Sequence, residues 1–138
     1  MMVSTKGRYA LRVMLDLAMQ KPEQYISLND IAKRQQISMK YLEAIVALLN
    51  KAGILQSRRG KDGGYRLARS PKEYPVSEIL KLTEGTLSPV ACMEEEGCGP
   101  DCGLLANCLT RPMWNKLDSI IDAYLSSVSL QDLLDGRC

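Results

Sequence analysis

Apolar residues near the start of the chain recur at helical spacing. Ala10, Val13, Met14, Leu17 and Ala18 stand at i, i+3, i+4, i+7 and i+8, which puts them on one buried face. The pattern stops near Lys21-Pro22, and Tyr25-Ile26 reads as a brief strand. Ser27 then predicts a helix cap, with the acidic Asp30 three residues later. Leu28, Ile31 and Ala32 face inward. A second start follows Gln35-Gln36. Ile37 and Leu42 take the two positions of a hydrophobic staple around a Ser38 cap. Leu42, Ile45, Val46 and Leu49 form the inner face, and Gly53 follows the last turn.

Two helices joined through Gln36-Ile37-Ser38 are spaced as in a helix-turn-helix. Residues 54–57 and 65–68 are short strand candidates. Between them Arg58, Arg59 and Lys61 share a turn with Gly60, Gly63 and Gly64, which permit a tight bend or a close backbone approach. A hairpin with a basic, glycine-rich tip directly after a second helix is a wing. Pro75 precedes a further helix, with Val76, Ile79, Leu80 and Thr83 on one side and Gly85 at its end. After an irregular stretch a long helix starts near Thr110, with Pro112 in its first turn. Its apolar residues are Met113, Trp114, Leu117, Ile120, Ile121, Tyr124, Leu125 and Val128, a wider stripe than its own domain needs. Ser129 starts a short final helix.

The expected fold is mainly α with a small β-hairpin wing (α+β). Residues 1–85 form a winged helix-turn-helix DNA-binding domain, 86–108 a cysteine-rich loop, and 109–138 a dimerisation helix with a C-terminal short helix. The wide stripe can bury against the same helix of a second copy, which gives a two-fold homodimer. No apolar run is long enough to span a bilayer, and the N-terminus lacks a signal-peptide stretch, so the chain is expected in the cytoplasm, away from membranes.

Charge sharpens this picture. The net charge of +2 hides a division: residues 33–69 carry nine Lys/Arg against two Asp/Glu, and residues 70–138 carry five against eleven. The basic middle coincides with the helix-turn-helix and wing, the footprint of a double-stranded DNA partner. Ser38, Met39, Lys40, Tyr41, Glu43 and Ala44 lead the second helix into a major groove. Ser38 and Lys40 suit phosphate or base-edge contacts, and Tyr41 can reach a phosphate with its hydroxyl. Glu43 accepts from a cytosine amino group, sits in a helix salt bridge, or is a solvated position. On the wing, Arg58, Arg59, Gly60, Lys61 and Tyr65 line the duplex, and Gly63 and Gly64 let the main chain come close. A two-fold dimer expects a palindromic operator. Histidine is absent, which removes the commonest acid/base group and argues against an enzyme.

Cys92, Cys98, Cys102 and Cys108 fall in one 17-residue stretch with spacing C-x5-C-x3-C-x5-C. Three glycines and a proline make this stretch too turn-rich for a packed core. Four thiolates on such a loop fit a soft metal or an iron-sulfur cluster. Zinc comes second, because the paired C-x2-C spacing is absent, and a disulfide or redox switch third. Cys138 stands apart as the last residue.

These motifs together resemble the iron-sulfur cluster regulator family of winged-helix transcription factors, which includes the IscR, NsrR and CymR types. The resemblance is carried by Ser4-Thr5-Lys6-Gly7-Arg8-Tyr9-Ala10, the run from Ile37 to Glu43, the wing from Arg59 to Leu67, and Cys108-Leu109-Thr110-Arg111-Pro112-Met113-Trp114. It spans essentially the whole chain. It implies a homodimeric regulator, expected to be a repressor, whose DNA affinity responds to the state of a 2Fe–2S or 4Fe–4S cluster. Cys92, Cys98 and Cys108 match the three motif cysteines. Arg111 stands where the IscR type has a histidine, and Arg8 where the NsrR type has an aspartate. That leaves the extra Cys102 as fourth ligand in an all-thiolate site. The alternative is a clusterless, CymR-like regulator of cysteine or sulfur metabolism, controlled by a regulatory protein partner or by thiol oxidation. CymR-type members tend to lack the loop cysteines, and this chain has four.

Overall fold

The computed structural model describes residues 2–93 and 107–138, so Cys98 and Cys102 lie outside the described residues. Helix α1 (Thr5–Ala18) is capped by Ser4, whose Oγ accepts from the Gly7 N–H at 3.3 Å. Ala10, Val13, Met14 and Leu17 are buried, as their spacing predicts. The helix ends at Ala18, just ahead of Lys21-Pro22. There the Gln20 amide donates to the Asp16 carbonyl at 3.2 Å, taking up an acceptor at the helix end.

Helix α2 (Leu28–Gln35) is capped by Ser27, which accepts from the Asp30 N–H at 3.2 Å. Helix α3 (Met39–Lys51) is capped by Ser38, which accepts from the Tyr41 N–H at 3.3 Å. Between the two, Gln36 adopts a left-handed conformation with φ 54°. All four inner-face residues of α3, Leu42, Ile45, Val46 and Leu49, are buried. Strands β1 (Leu55–Arg58) and β2 (Gly64–Leu67) pair antiparallel, with Leu55 opposite Leu67 and Arg58 opposite Gly64. The brief strand at Tyr25-Ile26 reduces to one residue: Ile26 exchanges two 2.8 Å hydrogen bonds with Tyr65. A 3₁₀ turn (Pro71–Glu73) leads to helix α4 (Val76–Glu84).

The main core joins α1, α2, α3, the hairpin base, Tyr74 and Leu130. Leu130 belongs to α6 (Leu130–Asp135), so this helix returns to the core built by α1, α2 and α3. Two main-chain bonds fix this return: Val76 N–H to the Val128 carbonyl at 2.8 Å, and Leu130 N–H to the Tyr74 carbonyl at 3.0 Å.

Helix α5 (Arg111–Ser127) separates the apolar stripe into two faces. Ile121 and Leu125 pack on a smaller cluster of Val76, Leu80, Leu87 and Val128. Lys81 and Asp122 form an ion pair at 2.6 Å on the same side, and Ser126 donates to Ser77. The other face points to solvent, with Met113 55%, Leu117 39%, Ile120 53% and Tyr124 55% exposed. Among the described residues no helix is long and apolar enough to cross a membrane.

Candidate nucleic-acid interface and cysteine segment

Four residues of α3 recur at i, i+3, i+4 and i+7 on its outer side: Lys40, Glu43, Ala44 and Ala47, all exposed. Two of them are alanines, which leave room for another surface to approach. Ala47 is absent from the residues that the sequence singles out, although the same periodicity marks it. Glu43 forms no ion pair among the described residues, so the helix salt bridge open to it in the sequence is not made. Met39 and Tyr41 are half-buried. The Tyr41 ring meets Tyr9 of α1 edge-on, with centroids 5.7 Å apart and planes at 77°. Its ring therefore serves packing between α1 and α3.

On the wing, Arg59, Gly60, Lys61 and Asp62 form an exposed tip. Gly60 takes φ +108°, and its carbonyl accepts from the Gly63 N–H at 3.0 Å to close the turn. Arg59 and Lys61 make no ion pair among the described residues, so both cations remain available. Arg58 lies over the Tyr25 ring at 5.7 Å, and Arg66 shares that ring at 4.4 Å. This stacking anchors the base of the wing. Gly64 takes φ +150°, and a Cβ there would stand 2.1 Å from the Ile26 carbonyl oxygen. The close approach is thus to the chain's own backbone, where Tyr65 bonds Ile26 (half-buried, Tyr65 also packs on the core).

Cys92 sits exposed in a short turn (Ala91–Met93), and Cys108 lies half-buried just before α5; both are free thiols. Cys108 Sγ is 3.3 Å from Thr110 Oγ1. The Thr110 hydroxyl, followed by the N–H groups of Thr110 and Arg111, lowers the Cys108 pKa below the ordinary thiol value, and the Arg111 charge adds to this. Hydrogen bonds that favour a thiolate also favour a metal-ligating sulfur, so the donor chemistry at Cys108 fits an iron or cluster ligand. Among the described residues no three His, Cys, Asp or Glu groups stand close enough to hold a metal ion.

The Rrf2 family, described as "Iron-dependent Transcriptional regulator", matches residues 3–136. The chain belongs to the Rrf2 family. "Protein rrf2" of Nitratidesulfovibrio vulgaris is 40% identical over 134 residues, covering 97% of this chain and 87% of that protein. The "HTH-type transcriptional regulator IscR" of Photorhabdus laumondii is 38% identical over 138 residues, covering 99% of this chain and 81% of its own. Among solved structures, CymR, described as the global cysteine regulator of B. subtilis, superposes with a TM-score of 0.77 at 34% identity over 96% of this chain and 95% of that one. T. potens IscR superposes at 0.75 and 36% identity over 99% and 88%. This Rrf2-family chain is thus a transcription regulator with a winged helix-turn-helix, and the fold expected from its sequence is the fold it adopts.

Proposed function

We propose that this chain is a homodimeric, cytoplasmic regulator that binds a palindromic operator and whose DNA affinity is set by an iron-sulfur cluster on Cys92, Cys98, Cys102 and Cys108. The observation that carries the DNA reading is the outer face of α3: Lys40, Glu43, Ala44 and Ala47 are exposed while the opposite face is in the core. The exposed cations at the wing tip supply a second contact. Ser38, Met39, Lys40, Tyr41 and Glu43 belong to the groove-reading helix, and the 58–65 hairpin to the backbone or minor-groove contact. Residues 1–85 bind DNA, 86–108 sense, and 109–138 dimerise, with α6 strapping the dimer helix to the DNA-binding domain. Arg59→Ala or Lys61→Ala is expected to weaken binding to all sequences and to reduce the salt slope by about one unit, as measured by titration at several salt concentrations.

The matched IscR-named relatives cover the cysteine segment, and hydrogen bonds at the start of α5 lower the Cys108 pKa. When bound, the cluster supplies a redox- and ligand-sensitive centre whose loss or oxidation is the signal. The protein's own residues contribute thiolate ligands and hydrogen bonds to sulfur. The test is anaerobic purification with iron and sulfide analysis of the wild type and Cys102→Ala. The wild type is expected to carry both iron and sulfide. The variant is expected to have a changed visible spectrum and a shorter cluster lifetime. A colourless, iron-free wild type sinks the cluster reading, and an unchanged Cys102→Ala spectrum removes Cys102 as a ligand.

A second reading, thiol-based control, is favoured by the lowered Cys108 pKa and by the exposure of Cys92. It expects an iron-free protein whose DNA binding is lost with peroxide and restored by a thiol reductant.

A further inference from the structure

Asp16 and Ser77 are the buried polar side chains among the described residues, and Asp16 is the charged one, at 2% exposure on α1. It is fully occupied. Arg34 grips it with a fork, Nε to Oδ2 at 3.0 Å and a terminal nitrogen to Oδ1 at 2.8 Å. Gln35 Nε2 adds a third bond to Oδ2 at 2.9 Å. One turn earlier on α1, Arg12 donates to Gln35 Oε1 at 3.2 Å and to the Gln35 main-chain carbonyl. Arg12 also covers the Tyr9 ring at 5.1 Å, and Tyr9 meets Tyr41 in the first turn of α3.

Three α1 residues, Tyr9, Arg12 and Asp16, therefore hold α2 and α3 on either side of the turn between them. The gripped residues, Arg34 and Gln35, immediately precede Gln36, the left-handed residue from which the chain turns into α3. Core packing fixes how close α1 lies to this pair of helices. Packing is tolerant of small rotations, whereas a two-toothed guanidinium–carboxylate bond is directional. Asp16 is buried but Arg34 stays 42% exposed, and a pair with one partner in water adds little stability. The directional fork on Asp16 supplies an angular constraint that apolar residues cannot.

We propose that Asp16, acting through Arg34 and Gln35, is a positioning residue that sets the angle at which α3 is presented to DNA, and hence base discrimination. This inference rests on the proposed DNA-binding role of α3. Asp16 touches no base and no phosphate in this account. Its loss tilts the reading helix, so contacts that need alignment with base edges weaken while phosphate contacts persist.

The test uses two variants of the full chain. Asp16→Leu with Arg34→Leu replaces the pair by apolar groups, and Gln35→Ala removes the side-chain link and alters no charge. The probes are a duplex that the wild type enriches from a random-sequence library and unselected random duplex. Affinity for each is measured over a range of salt, alongside thermal unfolding. Both variants are expected to fold cooperatively and to keep the wild-type salt slope. Their preference for the enriched duplex falls roughly tenfold, about the effect of one mismatched base pair. A folded variant that keeps the full preference overturns the proposal. So does a uniform loss on both duplexes with a reduced slope, which makes Arg34 a phosphate contact. If the double variant does not fold, Gln35→Ala decides by the same criteria. If the wild type enriches no sequence, the DNA-binding reading fails, and the proposal falls with it.

Discussion

Replacing both Leu117 and Ile120 with glutamate is expected to give a folded chain of half the wild-type mass in solution, with operator affinity reduced on the order of 100-fold or more. The two positions belong to the free face of α5, at 39% and 53% exposure, flanked by Met113 and Tyr124. Neither belongs to the two hydrophobic clusters of the chain, so the substitution takes only a small part of the monomer's packing. Glutamate is a good helix former, so α5 keeps its helix. At a two-fold interface the same residues meet their own copies, and burying four carboxylates together is prohibitive. Loss of the partner separates the two recognition helices, and the second half-site no longer benefits from the first. Light scattering reads the mass, circular dichroism the helix content, and a titration of operator DNA the affinity. A variant that stays dimeric, or one that binds like the wild type, removes α5 as the interface.

The second large effect is expected at Tyr74, whose side chain is completely buried. Its hydroxyl donates to the Ile54 carbonyl at 2.6 Å and accepts from the N–H groups of Ala68 and Arg69 at 3.0 and 2.9 Å. These groups lie just before β1 and just after β2, so one side chain closes the base of the wing. Tyr74→Phe keeps the ring but leaves part of this set without its partner. The expected cost is about 2–4 kcal/mol, because buried backbone groups lose hydrogen bonds that water cannot replace. For a chain of this length the unfolding midpoint is expected to fall by roughly 10 °C. Thermal unfolding checks it, and a shift of only a degree or two shows that the three bonds are replaceable. At low temperature the variant keeps its salt slope, since no cation is removed.

Neither Tyr74 nor Asp16 stands out in the sequence. Tyr74 lies between Glu73 and Pro75 in a stretch with no periodicity, and its three partners are up to 20 residues away. Asp16 interrupts an apolar face without a local signal, since its partners Arg34 and Gln35 belong to the next helix. The α5 stripe was legible as apolar, but its division into an inward face (Ile121, Leu125) and a free face (Met113, Leu117, Ile120, Tyr124) was not. The glycines at 63 and 64 were legible as a place of close approach. What they approach was not, because the Ile26 carbonyl that lies against Gly64 is almost 40 residues earlier in the chain.

The sequence by itself determined the features that neighbouring residues decide. Ser27, Ser38 and Ser129 cap helices because each can reach an N–H two or three positions ahead, whatever the rest of the chain does. The buried faces of α1 and α3 follow from the helical period, and the wing from glycines and cations packed between two short strands. Tertiary structure alone decided the rest: the return of α6 to the first domain, the grip of Tyr74 on the wing base, the hold of α1 on the turn before α3, and which side of α5 stays free. Each of these depends on the directions in which distant elements meet. A chain of local preferences leaves those directions open until the core closes around them.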